Sequence, residues 1–357
     1  MKKIAKIIAA LAAVAVLGMS FAGCGLLVDY DEVEAVKQLD KTVLTLADDI
    51  EVDGGYYGWY FSSVHNEKLS EQQQAQQLAS QIEASVDSAA DSAADSAADS
   101  AADSAADSAA EVEIPEIKLD DVKAEAEKRI VAVKMASQKA IADGFELTSK
   151  DYKNIETQLD SIKSQITQSI SAAGINYNDY LELMNTDAES LEAVVTDQYI
   201  ANVYYASLVE DKYVTAKHIL IEASEEKRTK EEAKTLIDEI KAQLDNGEDF
   251  DKLMKEKCED PGLETNPNGY TFTKGQMVPQ FEEAAYALEV DQISEPVETD
   301  YGYHILKKCA TDISDIAAAL FAISDQEIAD LIEAENEKLA EGANVTATDA
   351  IKFYTID

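Results

Sequence analysis

Histidine and cysteine are scarce in this chain of 357 residues, three of each, and 30 lysines and arginines face 71 aspartates and glutamates. The resulting net charge of -41 repels a phosphate backbone, which excludes nucleic acid as a partner. Long apolar runs are missing too. Ile7 to Val16 is far shorter than the roughly 20 residues that a bilayer span needs. Preceded by Lys2, Lys3 and Lys6, it reads as the apolar stretch of a targeting segment. With Cys24 at the end of that segment, Cys258 and Cys309 remain. Two cysteines are not a disulfide framework, so both are expected as free thiols.

The targeting segment ends Phe21-Ala-Gly-Cys24, and small residues directly before a cysteine resemble the bacterial lipobox. The resemblance implies removal of residues 1–23 and lipidation of Cys24 by acyl chains such as palmitate. Two or more chains anchor stably where one is marginal. The protein would then sit on the extracytoplasmic face of the bacterial cell membrane. An ordinary secretory signal with cleavage nearby is the alternative.

The length predicts two domains. Residues 24–210 read as a mostly helical lobe. Thr42–Ala47 and Ile50–Val52 are expected as a short hairpin, and Tyr56/Tyr60 and Tyr57/Phe61 are spaced by four, as on one side of a helix. This aromatic cluster reads as core, with a binding surface as the minority reading, and His65 as a surface residue. Residues 87–110 are six copies of Asp-Ser-Ala-Ala, without a large apolar residue to bury a face. They predict a low-complexity spacer, marginally helical or disordered. Helical patterns follow over 119–142, from Thr148 to Ala173, near Asn178, and from near Asp187 to Leu208. Past Cys309, a helix is expected from Ser324 to about Leu339, then an alternating run from Val345 to Tyr354.

Residues 211–310 form a separate module. It opens with a strand-like run, Tyr213 to Ile221, and closes with another, Glu298 to Lys307. Strand alternation puts His218 on one face with Ala216 and Leu220, and His304 with Gly302 and Leu306. Between them Thr229 and Glu232 form a capping box, Ala233, Leu236, Ile240 and Leu244 an apolar stripe, and Asn246-Gly247 a stop. Shorter helices are expected after Asp249 and around Phe281, Ala284, Ala285 and Leu288.

Four pieces in order, Ala216-Lys-His-Ile-Leu220, Phe272-Thr-Lys-Gly-Gln-Met-Val-Pro-Gln-Phe281, Ile293-Ser-Glu-Pro-Val297 and Tyr301-Gly-Tyr-His-Ile305, resemble the parvulin (PpiC-like) peptidyl-prolyl cis/trans isomerases. The resemblance implies an α+β fold, a small antiparallel sheet surrounded by helices, attached to a mostly α-helical chaperone-like lobe. Such a lobe before such a module, on a lipoprotein, is similar to the extracytoplasmic foldases of the PrsA type. By the same analogy, residues 311–357 would return to the helical lobe, adding a strand beside residues 43–52. The partners implied are unfolded or newly exported polypeptides and, through Cys24, the membrane; a homodimer stays open.

The family's proline pocket falls on Met277 and Phe281, with Phe272 as a further wall; plain core packing is the competing reading. Where many parvulins read Gly-Gly-Asp-Leu-Gly, this chain has Pro267-Asn-Gly-Tyr-Thr271, so Tyr270 is expected to rebuild part of the wall. The paired-histidine centre falls on His218 and His304, whose rings are expected to hydrogen-bond to one another, with Thr299 in the same network. The family's Cys/Asp position falls on Asp260, and Cys258 is not that residue. No cofactor is implied. A metal on the two histidines and the aspartate is disfavoured, because one ligand is on a loop and both rings sit among apolar neighbours.

Overall fold

The computed structural model describes residues 38–47, 49–94, 113–320 and 325–356. Residues 1–23, Cys24, Asp-Ser-Ala-Ala copies from 95 onward and Ser324 lie outside the described residues. Among the described residues no helix is long and apolar enough to cross a membrane.

The chain begins with strands β1 (Thr42–Leu46) and β2 (Ile50–Asp53), an antiparallel hairpin. Helix α1 (Gly54–Ala94) follows and runs into the first two Asp-Ser-Ala-Ala copies. Next come α2 (Leu119–Ala142), α3 (Ser149–Ile170), α4 (Tyr177–Leu183) and α5 (Ala188–Leu208). The module then supplies β3 (Val214–Glu222), α6 (Lys230–Asp245), α7 (Phe250–Lys257), β4 (Tyr270–Phe272), α8 (Pro279–Ala287), β5 (Val297–Thr299) and β6 (Gly302–Cys309). The chain continues through α9 (Ile313–Ala319), α10 (Gln326–Glu341) and β7 (Thr346–Ala347).

These elements gather into two compact units. One takes residues 135–152 and 197–338, the other the described residues up to 134, 153–196 and 339–356. In the second unit Tyr56, Tyr57, Trp59, Tyr60 and Phe61 are all buried, so the cluster is core. His65 is half-buried against Phe61, with ring centroids 6.5 Å apart, and not the exposed residue expected. Here β7 pairs with β1, in the order β2-β1-β7. Only Thr346–Ala347 of the run from Val345 to Tyr354 is strand. Thr348 then caps a 3-10 turn over Asp349–Phe353. That turn delivers Tyr354 edge-on against Tyr57 (4.7 Å between centroids) and Phe61 (5.6 Å), with its hydroxyl donating to Gly54 O at 2.6 Å.

In the first unit a four-stranded antiparallel sheet has the order β4-β3-β6-β5. Both its faces are covered, so β3 is buried at nearly every position. On one side Ile219, Ile221 and Ile305 pack with α6 and α7; on the other Val214, Ala216 and Leu306 pack with Phe272 and α8. The capping box of Thr229 and Glu232 forms at the head of α6. The buried stripe of that helix is Ala233, Ile237, Ile240 and Leu244, while Leu236 is exposed at 39%. The segment from Glu298 to Lys307 is not one strand. It turns at Asp300-Tyr301 into the β5–β6 hairpin. Cys258 and Cys309 are unpaired and partly buried.

Candidate active site

Strand β3 carries His218 and β6 carries His304, both on the face that packs against α8. In the antiparallel register His218 pairs with Leu306 and Leu220 with His304, so the two histidines are diagonal neighbours. Their rings stand 5.3 Å apart, tilted by 53°. The expected ring-to-ring hydrogen bond is not formed. His304 Nε2 instead shares a 2.9 Å hydrogen bond with Thr299 Oγ1, across the β5–β6 hairpin, and His304 Nδ1 is buried without a partner. The turn at residues 300–301 explains this, because it brings Thr299 to the ring.

The Phe281 ring sits edge-on to both imidazoles, at 5.3 Å from His218 and 5.5 Å from His304. Pro279 at the first turn of α8 fits that position because its missing N–H is not needed there. Phe272 lies 5.9 Å from Phe281, and Met277 packs against the same cluster. His218, His304, Phe272, Phe281 and Thr299 are buried, whereas Met277, Tyr270 and Asp260 are half-exposed. The site thus has a closed aromatic floor and a partly open border.

Asp260 opens a turn in which Gly262 N–H donates to its Oδ1 at 3.0 Å. Its Oδ2 lies 3.4 Å from His218 Nε2 and accepts the Tyr270 hydroxyl at 2.7 Å. Tyr270 is held at both ends: its ring stacks on His218 at 5.7 Å while its hydroxyl holds the carboxylate. The Asp-Pro-Gly sequence at 260–262 is a turn signal from which the Gly262 contact could have been read. The Tyr270 bond spans ten residues and leaves no local signature. Two residues before Asp260, the Cys258 Sγ accepts the Leu220 N–H at 3.4 Å, and burial pushes its thiol up.

Electrostatics follow from this packing. Burial lowers the pKa of His218, opposed by the Asp260 carboxylate. Burial, with a smaller contribution from His218, brings His304 down to about 4. Both rings are therefore neutral at neutral pH. Burial first, then its bond to Asp260, pushes Tyr270 up to about 12, so it remains a donor. A neutral, buried aromatic cluster bordered by a hydrogen-bonded carboxylate can pack against an apolar ring and stabilise a change in charge distribution without forming a bond to it.

A model of the family described as "Rotamase: PPIC-type PPIASE domain" matches residues 218–310. Among curated relatives, the foldase protein PrsA of Geobacillus kaustophilus is 33% identical over 208 residues, which are 55% of this chain and 68% of the relative. The PrsA of a Geobacillus strain, WCH70, is 34% identical over 195 residues, 53% of this chain and 65% of the relative. The chain thus spans about two thirds of the length of these relatives. A crystal structure of peptidylprolyl isomerase (PrsA) from Bacillus anthracis is similar at 23% identity, covering 59% of this chain and 95% of the other, with a TM-score of 0.24.

Proposed function

Because this chain belongs to the PrsA foldase family and carries a parvulin-type peptidyl-prolyl cis/trans isomerase domain, we propose that it is a membrane-anchored extracytoplasmic foldase that isomerises X-Pro bonds in exported polypeptides. Residues 211–310 are the isomerase module and the client-cradling lobe lies within residues 24–210; of the described tail only residues 339–356 group with β1 and β2, while those up to 338 group with the module. Lipidation of Cys24 supplies the anchor.

The observation that carries this reading is the neutral imidazole pair, walled by Phe281 and bordered by the Asp260–Tyr270 pair. Rotation about a peptide bond faces about 18–20 kcal/mol because amide resonance keeps it planar. Resonance puts partial negative charge on the carbonyl oxygen, and the twisted transition state carries less of it. Phe272, Met277 and Phe281 receive the proline ring, with Tyr270 as the outer wall. Asp260 faces the substrate carbonyl, where its negative charge disfavours the planar form more than the twisted one. The catalytic gain is thus a difference in binding between two shapes of one bond. His218 and His304, the latter oriented by Thr299, hold the recess. A carboxylate is a poor nucleophile towards an amide, so no covalent intermediate is invoked.

Proline-limited refolding of a model substrate tests this directly. The full chain is expected to accelerate the slow phase. His218→Ala and Met277→Ala are expected to lower kcat/KM while the circular dichroism spectrum is preserved. Met277 is half-buried, so trimming it loses about 1.5 kcal/mol, the low end for an apolar side chain of this size, hence roughly a tenfold loss. No acceleration by the wild type, with aggregation of the substrate still suppressed, would make the protein a chaperone with a silent module.

A further inference from the structure

Asp260 lies on a segment without regular secondary structure, yet its carboxylate has a defined place. The hydrogen bonds just upstream explain how. Strand β4 pairs with β3 only from Val214 to Ala216, so that edge of β3 is uncovered further along. Buried backbone groups need partners, and the residues after α7 provide them. Cys258 Sγ accepts from Leu220 N–H, and Glu259 N–H donates to Leu220 O at 2.9 Å. Two residues further, the Glu222 N–H donates to Glu259 Oε2 at 2.8 Å. Glu259 thus uses both its backbone and its side chain to continue the edge that β4 leaves.

The Glu259 carboxylate is itself gripped. Arg228, on the loop that follows β3, donates Nη1 to Oε2 at 2.5 Å and Nη2 to Oε1 at 2.8 Å. The same Nη1 also reaches Glu222 O at 2.8 Å. Lys227 Nζ stands 3.2 Å from Glu259 Oε2 and 3.0 Å from Glu222 Oε2. A two-pronged guanidinium–carboxylate pair fixes direction as well as distance, unlike a single point contact. Burial of Glu259 acts upward, but its bonds to Arg228, the Glu222 N–H and Lys227 outweigh it and hold this carboxyl at about 2. The grip therefore persists across the working range of pH.

We infer that Glu259, clamped by Arg228, is a positioning residue that sets where Asp260 stands relative to His218 and the substrate carbonyl. The inference rests on the role proposed for Asp260. Neither Glu259 nor Arg228 contacts the aromatic recess. Their influence passes through one peptide link, from a residue tied to β3 at Leu220 and Glu222 to the residue whose Oδ2 faces His218 Nε2. With its two cations engaged by Glu222 and Glu259, the loop 223–229 works as a brace for the site.

The test compares kcat/KM of the full chain for an X-Pro peptide, by NMR exchange, among wild type, Glu259→Gln, Asp260→Asn and the double variant. Misplacing a reacting group by a fraction of an ångström is costly, so Glu259→Gln is expected to lose roughly ten- to hundredfold. In the Asp260→Asn background the same change is expected to cost less than about twofold, because residues acting as one unit are not additive. A second readout does not need turnover. With Asp260 displaced, His218 loses the carboxylate that supports its protonated form, so its NMR titration shifts to lower pH. An undiminished loss in the Asp260→Asn background, or an unmoved His218 titration, overturns the inference. Should Glu259→Gln fail to fold, Arg228→Lys keeps the charge and gives up the fork; a partial loss that vanishes beside Asp260→Asn supports the clamp, and one that persists overturns it. A wild type without isomerase activity sinks the proposed function; an active wild type matched by Glu259→Gln sinks only the clamp.

Discussion

His304 must take up a proton on acid unfolding that it refuses while folded, since burial brings it to about 4 against 6.5 for an exposed ring. Between those two values the unfolded chain binds more protons than the folded one, so stability rises with pH and is lost as pH falls from 6.5 towards 4. The loss attributable to His304 is about 3 kcal/mol, at 1.36 kcal/mol per pH unit. His218 is shifted in the same direction and adds to it. Urea unfolding at several pH values is expected to show this slope, and His304→Asn to flatten it relative to wild type. An equal slope in both would mean that other groups carry the acid sensitivity. At this scale the sequence was informative about identity and less so about partners. The placement of each histidine on an apolar face of its own strand was legible from alternation; that the two faces coincide depends on the β3–β6 register. The bond of His304 to Thr299 rather than to His218 was not, because it depends on a turn that strand periodicity cannot see.

Among the elements, the β5–β6 hairpin is the one that the composition of its turn decides. Gly302 has φ of 136°, and a Cβ there would come within 2.2 Å of Ile221 O on β3. Any side chain must therefore either strain the turn or push β3 from β6, the pairing that places the two histidines. Gly302→Ala is expected to cost about 2 kcal/mol or more in stability, read by denaturant unfolding, and to lower isomerase activity further by separating the rings. A variant as stable as wild type would show that the hairpin tolerates another turn. Helix α6 marks the opposite extreme of legibility. Its capping box at Thr229 and Glu232 fixed the start from sequence alone, whereas Leu236 and Ile237 both fit a helical stripe and only the sheet beneath decides between them. The run from Val345 to Tyr354 read as a strand for a similar reason: alternation was present, but the Thr348 side chain caps Ala350 N–H and turns the chain.

For the molecule as a whole, the net charge of -41 is unfavourable to compactness. Exposed pairs such as Lys212–Glu327 and Lys230–Glu298 are screened by solvent and do not offset an excess of that size. Raising salt from about 0.01 to 0.15 M shortens the screening length from about 30 to 8 Å. Tm is therefore expected to rise with sodium chloride, by several degrees in a thermal scan; a fall would mean that ion pairs outweigh self-repulsion. Two compact units are what the length led one to expect, but the grouping of residues 135–152 and 197–210 with the module has no signal in composition or pattern. The meeting of β7 with β1 could not be read from the residues, because a two-residue strand carries no periodic signal. That meeting has a consequence in time. Gly54 receives the Tyr354 hydroxyl, a partner 300 positions later in the chain. At about 5–20 residues per second, a ribosome delivers that tyrosine roughly 15–60 s after the glycine. Throughout that wait Tyr57 and Phe61 lack the ring that covers them, and the strands bearing His218 and His304 are themselves completed, at Cys309, only 45 residues before Tyr354. The molecule that helps other chains through slow steps is thus itself, for most of its own synthesis, an unfinished one.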